Sequence, residues 1–156
     1  DDNGEWQGKA VADIGDASKV PLPVDISITS DDQGLWVDTF MDGKARYFDI
    51  SDPFNPVQKY EETIGSQVNM ISQSWDCKRA YFSTSLLGNW DKTGDADEQW
   101  VKLYEWDDES LELSHKWTID FYKEKLGRAH QMRFGAYSLY SSKSESNKKE
   151  VTLLGK

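Results

Sequence analysis

The chain has 156 residues, a length that can bury one real core, and its seven Trp, seven Tyr and six Phe supply large buried areas per residue. A formal net charge of −10 disfavours a sequence-independent grip on phosphate backbones, so nucleic acid is not an expected partner. No apolar run approaches the ~18 residues that a membrane span needs, and the single cysteine, Cys77, cannot form an intrachain disulfide.

The opening "DDNGEWQGKA" reads as the middle of something, either after a removed leader or inside a longer protein. Aromatic and β-branched residues at short spacing then predict strands over 5–12, 23–29, 35–40, 45–50 and 57–63. Further strands are expected over 67–73, 79–85, 99–106, 111–119 and 130–140. Turn-rich text separates them: "SDDQG", "MDGK", "SDPFNP", "WDCK", "GNWDKTGDADE" and "WDDES". Only "DFYKEKLG", residues 120–127, suggests a helical turn. The stretch 141–150, "SSKSESNKKE", is a polar loop, followed by the apolar "VTLL". The fold class is all-β.

A weak repeat organises these strands. "VDISITSDDQGLWVD" aligns with "NMISQSWDCKRAYFS" at an offset of 45, matching Thr29 to Ser74, Asp31 to Asp76 and Trp36 to Tyr81. A period of about 40–45 residues is that of a four-stranded β-propeller blade. The SDPFNP turn falls between the third and fourth strands of the first copy. A third copy starts at "HQMRFG", with His130 in the place of Met70 and Asp25 after an insertion in "GNWDKTGDADEQ". The alternative is a coincidental match in an ordinary β-sandwich. Propellers have roughly 4–8 blades, and three blades do not close a ring, so residues 1–156 read as part of one propeller domain.

"RYFDISDPFNP", "SWDCKRAYFSTSLLGNWDK" and "DFYKEKLGRAHQMRFG" resemble, in this order, the C-terminal third of the selenium-binding protein family. The D-x-S-D-P-x-x-P turn is weak evidence, since many propellers carry it. The ordered combination of D-x-K-R-x-Y, T-S-L-x-x-x-W-D and G-R-x-H-x-M-R-F is far more specific, and its bacterial methanethiol oxidase form fits best. The resemblance implies a seven-bladed propeller, of which this chain supplies about three C-terminal blades. It also implies oxidation of methanethiol with O2 and water to formaldehyde, hydrogen sulfide and hydrogen peroxide, with copper as the metal and export to the periplasm. A cytoplasmic location and a homo-oligomer stay open. The family's N-terminal blades, with their cysteine and several histidines, are absent, so a companion chain carrying them is expected. Cys77 is not the family's cysteine; it stands where the family has Gly or Asp in a tight turn.

His130 leads the candidate site residues. The repeat places it at the start of an innermost strand, where side chains converge on the central channel, and imidazole is a copper-competent ligand. Met132, two residues on, would share its face of a strand and offers a soft thioether. Asp25 and Met70 hold the equivalent positions of the earlier copies, with Asn69 adjacent. A carboxylate at Asp25 could orient a ligand or accept a proton, or it caps backbone amides of an inner strand. Arg133 is a channel candidate or half of a structural ion pair. Trp90 could wall a small thiol pocket or cover a blade edge. His115 is expected to face solvent, and Cys77 has no histidine base nearby in the chain. Two other readings remain: a non-catalytic propeller that binds metal or selenium, and a stand-alone Trp-rich carbohydrate-binding module.

Overall fold

A computed structural model describes residues 3–84 and 99–133. They form two four-stranded antiparallel meanders. The first contains β1 (Pro23–Ile28), β2 (Gly34–Thr39), β3 (Lys44–Asp49) and β4 (Val57–Thr63). The second contains β5 (Val68–Gln73), β6 (Arg79–Thr84), β7 (Trp100–Asp107) and β8 (Glu112–Asp120). Strand order follows chain order in each sheet, the topology of two consecutive propeller blades.

The 45-residue repeat is carried by hydrogen bonds. In the β1–β2 turn, the Thr29 hydroxyl donates to Asp31 at 2.6 Å and accepts the Gly34 N–H at 2.7 Å. In the β5–β6 turn, the Ser74 hydroxyl donates to Asp76 and accepts the Arg79 N–H at 3.1 Å. Each turn needs one left-handed residue, Asp32 (φ +59°) in the first and Cys77 (φ +57°) in the second. The ladders repeat as well. A register shift between Pro23 and Asp25 in β1 recurs between Val68 and Met70 in β5, again 45 residues on.

The sheets pack face to face through aromatic side chains. Trp36, on β2, meets Trp106 with ring centroids 4.8 Å apart and Phe82 at 5.9 Å, both nearly edge-on. Tyr47 and Tyr60 close the same cluster against Trp106 at 5.0 and 5.2 Å. Edge-to-face contacts of this kind add about 0.5–1.5 kcal/mol beyond burial. Trp36, Trp100 and Trp106 are buried and serve packing, whereas Trp6, Trp75 and Trp117 are exposed.

The inner strands are tied directly. Asp25, on β1, accepts the Ile71 N–H of β5 at 3.0 Å, and Gln73 Nε2 donates to the Ser27 hydroxyl at 2.8 Å. At the far side of the first sheet, Arg46 is 1% exposed and pairs with Asp42 and Glu61. Gly15 (φ +66°) lies so close to it that a Cβ would come within 2.8 Å of its Nη2. A residue with a Cβ would be strained there by φ and would oblige the Arg46 guanidinium to shift.

Eight predicted strands stand within a residue or two of the observed ones, and the helical turn is there: the Glu124 and Leu126 N–H groups donate back to Asp120 and Phe121. The strand expected over 5–12 is not formed; Trp6 is fully exposed and these residues join no ladder. A strand is stabilised by its neighbour, and alternating side chains cannot supply one. A short 3-10 helix, Ala17–Lys19, capped by Asp16, follows instead. Of the strand expected over 130–140, residues 130–133 take no regular structure and the rest lies outside the described residues, as does the loop over 141–150.

Candidate functional site

The inner ends of the two sheets gather six of the chemically interesting side chains. β1 and β2 bring Asp25 opposite Asp38, and β5 and β6 bring Met70 opposite Ser83. The chain leaves β8, makes its helical turn, and returns so that Ala129 is buried and His130 lies against β5 and β6. Two wholly buried side chains hold His130. The Ser83 hydroxyl donates to its carbonyl at 2.6 Å, and the Asn69 amide nitrogen lies 3.5 Å from its Nδ1. The ring itself is on an exposed residue.

Asn69 reaches His130 because of the bulge. The register shift between Val68 and Met70 takes Asn69 out of the ladder and re-aims its side chain. His130 and Asn69 therefore lie together, with Met70 next to Asn69 on β5, but His130 opens no strand. Met132 lines an apolar cleft of roughly 300 Å³ with Tyr81, Val101, Trp117, Ile119 and Phe121, and His130 is not among its lining residues. Arg133 lines the mouth of that cleft and is exposed. Trp90 lies outside the described residues.

Asp25 takes the capping role. One of its oxygens accepts the Ile71 N–H, and its own N–H donates to Asp38 Oδ1 at 2.9 Å. Asp38, absent from the sequence-derived candidates, has no solvent exposure, and its Oδ2 has no partner among the described residues. Burial, reinforced by the charge of Asp25, pushes its carboxyl up to about 8. The clue was in "GLWVDTF": an acid inside a run that is otherwise buried. Ser83, the residue 45 positions further on, carried no comparable signal.

The remaining candidates are structural. The Cys77 sulfur accepts the Ser30 N–H at 3.3 Å and joins the two inter-strand turns. His115 Nε2 lies 2.9 Å from the Thr118 hydroxyl on the exposed surface of β8. Among the described residues no three His, Cys, Asp or Glu side chains group closely enough to hold a metal ion. The set does not fit a complete copper site, since His130 brings a single imidazole and a complete site needs further donors.

Comparison with known proteins adds the context that the geometry lacks. The family model described as 56 kDa selenium binding protein (SBP56) matches residues 1–141. A methanethiol oxidase of Ruegeria pomeroyi is 63% identical over 142 residues, 91% of this chain and 32% of that protein. A methanethiol oxidase of a Hyphomicrobium species is 56% identical over 136 residues, 87% of this chain and 31% of that protein. The chain thus spans about a third of the length of these relatives. Among solved structures, a hypothetical selenium-binding protein from Sulfolobus tokodaii superposes with a TM-score of 0.57 at 27% identity, over 65% of this chain and 26% of that one. A periplasmic gluconolactonase from Pseudomonas aeruginosa superposes with a TM-score of 0.50 at 13% identity over 63% of this chain and 26% of that one, a likeness of fold only.

Proposed function

From the premise that this chain belongs to the 56 kDa selenium-binding protein family, we propose that it forms part of a methanethiol oxidase. In the balanced reaction one methanethiol, one O2 and one water give one formaldehyde, one hydrogen sulfide and one hydrogen peroxide. The observation that carries this reading is the 63% identity with the Ruegeria pomeroyi methanethiol oxidase across nine-tenths of the chain. In this reading the two blades present His130 at the inner ends of β5 and β6, facing a site completed by blades from the rest of the propeller. Those blades arrive on a companion chain or as further sequence of the same protein. Copper and a periplasmic location belong to the same proposal. His130 would supply one ligand, and the other donors come from outside the described residues.

The local chemistry supports a site here rather than elsewhere on these blades. His130 is anchored by buried polar side chains on a rigid sheet, which is how a functional imidazole is held in place. The test is to assay the full-length protein for oxygen uptake with methanethiol, for formaldehyde, sulfide and peroxide in equal amounts, and for bound copper. His130→Ala is expected to lower copper content and turnover together. A wild-type protein without copper and without these products favours the second reading, a non-catalytic propeller that binds metal or selenium.

A further inference from the structure

We propose that Asn69 is the positioning residue of His130, holding the imidazole through Nδ1 and so setting which ring nitrogen carries the proton. The proposal deepens the oxidase reading and rests on it for the link to turnover. It starts from atom types. An amide nitrogen has only hydrogens to offer, so across 3.5 Å Asn69 Nδ2 donates and His130 Nδ1 accepts. A neutral imidazole that accepts at Nδ1 carries its hydrogen on Nε2.

The support is unusually firm for a residue in irregular chain. Asn69 and Ser83 both have no solvent exposure, and they stand on neighbouring strands of one sheet. Ser83 fixes the backbone of His130 at 2.6 Å, and Asn69 then fixes the ring. Met70 follows directly in the chain, so the bulge that aims Asn69 is locked by the resumed Met70–Ser83 pairing.

The choice of an amide has a chemical consequence. A ring that binds a metal or takes up a proton through Nε2 needs its hydrogen on Nδ1, and hence an acceptor beside Nδ1. An amide turned over by half a rotation offers its oxygen there. Loading of a metal at Nε2 would therefore require the amide to turn over, and in the metal-free protein the observed orientation keeps the hydrogen on Nε2. A carboxylate in its place can only accept, and an aliphatic side chain serves neither state.

The test reads the tautomer directly. The full-length protein, freed of metal and labelled with 15N in its histidine rings, gives the His130 signals by comparison with His130→Gln. The neutral wild-type ring is expected to carry its hydrogen on Nε2 alone. Asn69→Leu is expected to give a mixture of both tautomers, and Asn69→Asp to move the hydrogen to Nδ1. In the metal-loaded protein, Asn69→Leu is expected to lower kcat for methanethiol about 10- to 100-fold, the usual effect of losing a ligand's supporting hydrogen bond. A wild-type ring already mixed, or carrying its hydrogen on Nδ1, overturns the proposal, and that result needs no folded Asn69 variant. Unchanged nitrogen signals in a folded Asn69→Leu protein overturn it equally. If the tautomers behave as expected but the wild type does not oxidise methanethiol, the oxidase reading falls and the positioning role stands.

Discussion

Asp38→Asn is the most informative single substitution, because its effect on stability must change with pH. The Asp38 carboxyl is pushed from an ordinary 3.8 up to about 8, first by burial and then by the charge of Asp25. In the range between those values the folded protein keeps a proton that the unfolded chain gives up. Stability from this group is thus complete below about pH 4, falls by about 1.4 kcal/mol for each pH unit, and levels off above about pH 8. Over about four pH units the upper bound is on the order of 5–6 kcal/mol, lowered in practice by relaxation around the ionised group. Asparagine keeps the oxygen that accepts the Asp25 N–H and puts a permanent donor where the acid has its proton, but it cannot ionise.

Urea unfolding of the full-length protein and of Asp38→Asn at about pH 5, 6, 7 and 8 follows this term. The variant is expected to gain on the wild type steadily as pH rises. Other carboxylates have the opposite sign: Asp31 and Asp76 are held below the ordinary range by the Thr29 and Ser74 hydroxyls, so their stabilisation is lost as pH falls through the acid range. They are common to both proteins and cancel in the difference. A difference between the two proteins that stays constant from pH 5 to 8 would refute the buried, protonated Asp38.

Two further substitutions probe the frame around the site. Trp36→Ala removes the ring that joins the two sheets and is expected to cost about 3–5 kcal/mol, read as a lowered thermal midpoint. Ser83→Ala removes the donor to the His130 carbonyl; a loss of about 1–2 kcal/mol is expected, together with faster tryptic cleavage at Arg128 and an unchanged core by near-ultraviolet dichroism.

The blade architecture was legible because its turns are chemical. A Ser or Thr, then an acid two residues later, then a left-handed position makes a turn that closes on its own hydrogen bonds, and the chain spells it twice at the same offset. The strands between those turns needed only alternating apolar residues. The segment over 5–12 is of strand-like composition but joins no ladder among the described residues, and what decides between strand and coil there is a neighbour that local sequence does not specify. His130 and Asn69 could be placed near one another by repeat register. Their contact could not, since it depends on a bulge that re-aims Asn69 and on a return of the chain after β8.

Asp25 and His130 show why equivalent positions in a repeat need not share a task. In the first blade the position after the bulge is an acid, and it is consumed by the fold: it caps the Ile71 N–H of the next inner strand and bears on a buried Asp38. In the second blade Met70 holds that position, and the polar groups around it, Asn69 and Ser83, both turn to the residue that heads the following segment. Polar side chains at the inner end of each sheet are thus directed onto the next element in the chain. Between the two blades they secure a backbone amide, which any residue but proline could provide. After the second blade they secure the carbonyl and ring of a histidine, and only there does the same support fix a group able to bind a metal or move a proton.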